Sequence, residues 1–197
     1  MPRAANTRQH ILDVSAELFA KQGVAQTSVR QIADAIGVYS SALYHHFPSK
    51  DAIAVELMGN YLTELAHSYE TAAPETLPPR QRLHAIVLVS LKMAVRYPAA
   101  TEIYQHELTL LKESPQYREV KKLGDRAQRA WLDTIEAGIE AGVFRKDLPA
   151  KVFHRFIRDA VWLSIKWRNP RGRYTVEQLA DDCIAIYLDG YAVAPEK

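Results

Sequence analysis

Apolar residues recur at helical spacing along almost the whole chain, and the two-residue alternation of a half-buried strand is hard to find anywhere. Thr7 is placed to cap a helix reaching about Gln22, with Ile11, Leu18 and Phe19 on one face and Gly23 as its stop. Thr27 or Ser28 opens a second helix through Ala35, burying Val29, Ile32 and Ala33 or Ile36, and Gly37 ends it. A third, very short helix is expected over about Ser40 to His46. Phe47-Pro48-Ser49 then turns the chain, and Ser49 caps a long helix that starts at Lys50 and reaches toward Thr71. The stretch "TAAPETLPPR" carries three prolines in ten residues and reads as a linker.

Beyond the linker the pattern predicts helices over Arg80 to Arg96, Ala99 to Lys112, Gln116 to Ala141, Pro149 to Arg168 and Thr175 to Tyr191. The breaks between them fall at Tyr97-Pro98, Ser114-Pro115, Gly142 and "RNPRGRY". The expectation is an all-α protein of about nine helices. Residues 1–50 would form a three-helix head with a helix-turn-helix, and residues 51–197 a larger bundle for ligand binding and dimerisation.

Composition narrows this picture only in places. A chain of 197 residues can bury a core without staples, and its single cysteine, Cys183, has no intramolecular partner and sits in an apolar helical stretch as a small hydrophobe. That usage suits a reducing compartment, the first residues carry no signal-peptide pattern, and no apolar run is long enough for a membrane span; a cytoplasmic protein is expected. The net charge of +2 is uninformative, but nine basic side chains against two acids lie between 145 and 173. Residues 1–60 carry five of each sign, which argues against a simple basic patch for nucleic acid in the head.

The stretch "SVRQIADAIGVYSSALYHHFPSK", residues 28–50, holds the candidate chemistry. Two short helices joined through Gly37 match the unit whose second helix enters the major groove of DNA. Ala42 and Leu43 are apolar enough to seat that helix. Tyr39, Ser40, Ser41, Tyr44, His45 and His46 carry groups that reach bases and phosphates. Thr27 and Ser28 at the start of the second helix, and Lys50 at the start of the fourth, are placed to clamp the DNA backbone on either side. Such helix pairs also occur in all-α proteins that bind no DNA, and on spacing alone both readings stand. A metal pair at His45-His46 is disfavoured because adjacent helical residues point about 100° apart. In "EIYQHEL", Glu102, His106 and Glu107 lack the second histidine of a zinc protease motif, since Leu110 stands there. No Gly-x-Ser-x-Gly or phosphate-cradling glycine loop is present, so neither an enzyme nor a bound cofactor or metal is expected.

The order Thr27 to Ala33, Gly37-Val38, then Leu43-Tyr44-His45-His46-Phe47-Pro48-Ser49-Lys50, with "ILDVSAELFAKQGVAQTS" before it, resembles the signature of TetR-family transcriptional regulators over about residues 8–60. The resemblance implies phosphate contacts at Tyr44 and Lys50, and base-facing positions at Tyr39, Ser40, Ser41 and His45. Tyr39 departs from the capping Ser or Thr of many members, and Ser40 is expected to cap in its place.

In "FHRFIRDAVWLSIKW", Arg158 and Trp162 share a helix face, with Arg155 and Lys166 a turn to either side. From the residues, this helix is either an interface element with Arg158 paired to an acid such as Glu102 or Glu107, or a ridge for an anionic ligand. Together with "IYQHEL", which holds Tyr104, and residues 131–148, it resembles a subgroup of repressors of genes for late, ring-opened sterol breakdown. That resemblance implies a CoA thioester of a bicyclic (hydrindane) sterol remnant as inducer, and a ligand site with Arg158 and Trp162 at its centre and Tyr104, Arg155 and Lys166 around it. The last two helices offer more apolar surface, at Val161, Leu163, Ile165, Leu179, Ile184, Ile186 and Tyr187, than one small bundle hides, so they are expected to pair in a homodimer, whose two-fold symmetry calls for an inverted-repeat DNA operator.

Overall fold

The computed structural model describes residues 3–106, 115–167, 169 and 172–190. Nine α-helices lie among the described residues, with no strand: α1 (Arg3–Gln22), α2 (Val29–Ile36), α3 (Ser40–Tyr44), α4 (Lys50–Ala72), α5 (Pro79–Arg96), α6 (Pro98–His106), α7 (Arg118–Glu140), α8 (Ala150–Trp167) and α9 (Val176–Ile184). A 3₁₀ turn, Pro115–Tyr117, precedes α7, and a π-type turn, Ala185–Asp189, follows α9. No single helix among the described residues is long and apolar enough to cross a membrane. The chain divides into two compact units, residues 1–64 with 97–124, and residues 65–96 with 125–197.

In the first unit α1 packs against α2 and α6, and α2 against α3. Ile11, Phe19, Ile32, Leu43, Phe47 and Ile53 are fully or almost fully buried. The helix starts one turn earlier than expected, so Thr7 lies inside it; Ala4 and Ala5 are strong helix formers that carry it outward. α6 opens on Pro98, whose missing N–H and fixed φ suit the first helical position, and Tyr97 before it donates to Glu64 at 2.7 Å. The expected end of this helix, near Lys112, lies outside the described residues.

In the second unit α5 packs against α8 and α9. Its core holds a directed hydrogen-bond chain. Trp131 Nε1 donates to Tyr69 Oη at 3.1 Å, and Ser90 Oγ donates to Ile86 O at 2.8 Å. With the serine proton so placed, the 2.7 Å contact between Tyr69 and Ser90 runs from the tyrosine to the serine. One polar atom from each of three helices is thereby satisfied inside an apolar core, which explains the serine that interrupts the apolar run of α5. The last helix does not reach Tyr191 as one regular element: α9, capped by a Thr175–Gln178 box, gives way after Ile184 to the π-type turn, which stops at Gly190 with φ +86°.

Candidate functional site

The helix pair α2–α3 is built by local signals. Ser28 takes extended geometry, and its Oγ accepts from Gln31 N at 3.2 Å while Gln31 Oε1 accepts from Ser28 N at 2.8 Å. At the other end Gly37 lies at φ +78°, which lets its N–H and that of Val38 fold back onto the carbonyls of Asp34 and Ala33. This cap turns the chain sharply enough to start α3 three residues later. α3 begins at Ser40 with Tyr39 as its cap residue, and no side chain caps it; Ser40 is the first helical residue and not the cap. It ends at Tyr44, and the N–H groups of His46 and Phe47 close on Leu43 O.

Leu43 faces the core, whereas Tyr39 is 86% and Tyr44 53% exposed, with Ser41 and His45 exposed and Ser40 half-buried. Five of the six expected base- and phosphate-facing side chains, Tyr39, Ser40, Ser41, Tyr44 and His45, therefore sit around one short helix with surface free to meet a groove. Tyr44 shares a shallow depression of about 390 Å³ with Thr27, Ser28, Ser49 and Lys50.

Two expected clamp residues have different partners from those foreseen. Thr27 is 1% exposed, and its hydroxyl donates to Gly23 O at 2.7 Å, so the side chain locks the α1–α2 turn and presents no hydroxyl to solvent. The Lys50 ammonium donates to Val24 O, Ala25 O and Thr27 O at 2.7, 2.9 and 2.8 Å. An ammonium has three protons, and all three point at main-chain carbonyls, which leaves its charge but no free donor for a phosphate in this conformation. Ser49 caps α4 as expected, accepting from Ala52 N at 3.1 Å. A brace not expected from the sequence lies nearby: Arg8 stacks over the ring of buried Phe47, 4.4 Å from its centroid, and pairs with Glu56, whose hydrogen bond raises the arginine pKa.

The five candidate ligand residues are divided between the two units. Tyr104 belongs to the first unit, beside Tyr61 at 5.9 Å between ring centroids, while Arg155, Arg158, Trp162 and Lys166 are on α8 in the second. Arg158 is half-buried and bonds to Asp159 through Nε (2.9 Å) and Nη2 (2.7 Å). The acid foreseen at Glu107 lies outside the described residues. Trp162 is 4% exposed, and Arg155 and Lys166 are exposed. The same face carries buried His154, edge-on to Trp131 at 5.8 Å; burial, and then the charges of Arg158 and Arg155, push its pKa down to about 4.

The second unit also carries a partly open cavity of about 550 Å³ that sequence reasoning missed. The ends of α7 and the start of α8 line it with Ile135, Ile139, Phe153 and Phe156, and the π-type turn adds Ile186 to Asp189. None of the five candidate ligand residues is in its wall. No pattern of spacing brings residues 135–156 and 186–189 together, so only the fold reveals it. Among the described residues no group of three or more His, Cys, Asp or Glu side chains is arranged to hold a metal ion. Cys183 is half-buried, and burial pushes its thiol up to about 11, as suits an inert packing residue.

A short, solvent-facing helix set at a tight glycine turn on a three-helix head defines a helix-turn-helix regulator. The comparisons with known proteins agree: residues 11–57 match the model of bacterial regulatory proteins of the tetR family, and residues 76–191 the tetracyclin repressor-like C-terminal domain. The chain belongs to the TetR family of bacterial regulators. It is 35% identical to the HTH-type transcriptional repressor KstR2 of Rhodococcus jostii over 94% of this chain and 91% of that protein. The solved structure of the ketosteroid transcriptional regulator KstR2 of Mycobacterium tuberculosis superposes with a TM-score of 0.83 at 35% identity, covering 93% of this chain and 94% of that one. A TetR-family regulator from Bordetella parapertussis shares the fold, with a TM-score of 0.83 at 22% identity over 94% and 96% of the two chains.

Proposed function

We propose that the protein is a homodimeric transcriptional repressor that leaves an inverted-repeat operator when a small-molecule inducer binds, with a CoA thioester of a sterol-ring degradation intermediate as the inducer class. Residues 1–50 read DNA, and residues 51–197 bind the ligand and pair two copies. The observation that carries the DNA reading is α3 itself: a helix anchored by Leu43 that turns hydroxyl, imidazole and phenol groups outward.

Pairing of two copies is supported by α8, where Val152, Phe156, Leu163 and Trp167 are exposed on one stripe, joined in exposure by Ile186. Phe156 and Trp167 are 67% and 66% exposed. This differs in part from the face foreseen, since Val161, Leu179 and Ile184 point into their own core. The CoA reading is supported by the cations of Arg155, Arg158 and Lys166 along the helix that carries Trp162, and by the ketosteroid in the name of the solved relative.

A gel shift at fixed salt on the promoter beside the protein's own gene, with and without a panel of acyl-CoA thioesters, tests this reading. A specific complex released by one sterol-derived thioester supports it. A complex untouched by the panel removes the CoA assignment, and no complex on any promoter removes the repressor.

A further inference from the structure

We propose that the 550 Å³ cavity is a binding site for an apolar monocarboxylate, separate from the Arg158 ridge. Its volume falls within the range of about 300–1,000 Å³ typical of small-molecule sites, and its walls are of the expected kind, apolar and aromatic with a few polar groups. The apolar part comes from four segments: Ile139 on α7, Phe144 in the loop after it, Phe153 and Phe156 on α8, and Ile186 and Leu188 on the π-type turn; Phe156 and Ile186 also stand on the exposed stripe offered for pairing, so the cavity borders that face. Four consecutive residues of that turn, Ile186 to Asp189, line the cavity, whereas a regular helix presents only every third or fourth residue to one side.

The charged part of the wall comprises two guanidiniums and one acid, Arg80, Arg145 and Asp189. Arg80 bonds to Asp189 through Nη1 at 2.8 Å, and Arg145 bonds to Asp147 through Nε at 2.7 Å. Each of these pairs engages two of the five N–H groups of its guanidinium, so donors remain on both without removal of either aspartate. Within the wall the two guanidiniums outnumber the one carboxylate. A single carboxylate on an apolar body matches this combination. The wall offers too few polar groups to receive a whole nucleotide.

The cavity depends on a glycine. The ring of Phe144, part of the wall, lies so close to Gly138 that a Cβ there would stand 2.1 Å from its Cδ2. The N–H groups of Val143 and Phe144 both donate to Gly138 O at 2.9 Å, which holds the loop on that spot. An alanine at 138 must drive the ring off α7 and toward the space it lines, while itself favouring the helix.

The test uses the full-length protein without DNA, titrated calorimetrically with dodecanoate and with dodecan-1-ol. The expected result is saturable binding of dodecanoate, about tenfold tighter than the alcohol because of charge-assisted hydrogen bonds. Gly138→Ala and, independently, Ile139→Trp should each weaken it by at least about tenfold with no loss of helical signal, and Arg145→Gln should narrow the gap between acid and alcohol. Arg158→Met should leave it unchanged. Absence of saturable binding, as when side chains of a second copy fill the cavity, overturns the proposal; so does equal affinity for the alcohol, or indifference to both wall variants. Loss of binding in Arg158→Met overturns the separation of the two sites. Because DNA is absent from the titration, failure of the repressor reading appears in the gel shift alone.

Discussion

Replacing Lys50 separates two ways in which one cation can support DNA binding. In the structure its three protons meet the carbonyls of Val24, Ala25 and Thr27 at 2.7 to 2.9 Å, so the side chain ties the start of α4 to the turn that leads into α2. A hydrogen bond to a charged group contributes about 1.5–3 kcal/mol when well buried. Water replaces part of that at this half-exposed site, so about 2 kcal/mol is a fair figure for the three together. If the turn must be ordered before α2 and α3 can dock, that loss appears as roughly 30-fold weaker DNA binding. Arginine is the informative substitution: it keeps the charge, but its planar fork cannot satisfy three converging carbonyls as a compact ammonium does. Lys50→Arg and Lys50→Met are therefore both expected to bind the operator about 30-fold less tightly, with faster amide exchange over residues 24–28, in titrations at several salt concentrations. The reasoning is refuted if Lys50→Arg binds as the parent does while Lys50→Met both weakens and loses about 0.9 from the slope of log K against log salt, the signature of a direct phosphate contact.

Tyr44→Phe, which keeps the ring and removes the exposed hydroxyl, should weaken binding to all sequences by a similar factor of about 5, and a change in base preference in competition shifts would contradict its phosphate role. Phe156→Glu together with Trp167→Glu should convert the proposed dimer to monomers by light scattering, since a charge on each exposed apolar position opposes its burial; an unchanged mass places the interface elsewhere. Arg158→Met should abolish release of the operator by the CoA inducer at concentrations that release the parent, and normal release removes the ridge from the ligand site. His154 makes stability depend on pH. Its folded pKa of about 4 lies below the ordinary 6.5, so the unfolded chain takes up the proton first as pH falls. Stability is fully present above about pH 6.5 and is lost as pH drops toward 4, by about 3 kcal/mol in all, at 1.36 kcal/mol for each pH unit of the gap. Urea unfolding of the parent and His154→Phe at pH 7 and pH 4 should show that difference, and parallel losses in the two proteins would contradict it.

The head was legible because its determinants are local. Ser28 and Gln31 cap α2 at fixed spacing, Gly37 supplies the left-handed turn, and the alternation of Leu43 with polar neighbours sets which side of α3 faces out. Each signal acts within about one helical turn, and each appears in the chain as written. What escaped was the choice of main-chain acceptors, near and far, and the direction of packing. Thr27 reads as an exposed hydroxyl at a helix start, and nothing in the neighbouring residues says that Gly23 O captures it. Lys50 reads as a cation at a helix N-terminus; its acceptors are 23 to 26 residues away and belong to the main chain, where side-chain identity leaves no trace. The apolar surplus on α8 and α9 was read correctly in amount but not in direction, because both helices are apolar on more than one side and only packing against α5 decides that Val161, Leu179 and Ile184 turn inward.

The cavity shows the same limit at larger scale, and its parts explain one another. Gly138, in the last turn of α7, costs the helix up to about 1 kcal/mol relative to alanine, so a sequence pattern treats it as a weak point. Set against Phe144 it becomes a seat for a ring, and the ring lines the same cavity as Ile139 and Phe153. The π-type turn is a second departure from regular helix, and it borders the same space. Two local irregularities therefore converge on one cavity. Their coincidence is what a retained ligand site predicts, and Gly138→Ala is the substitution that sets the two explanations apart: no change in any ligand response would mark the glycine as mere slack, whereas loss of dodecanoate binding in a folded variant would mark it as what keeps the site open.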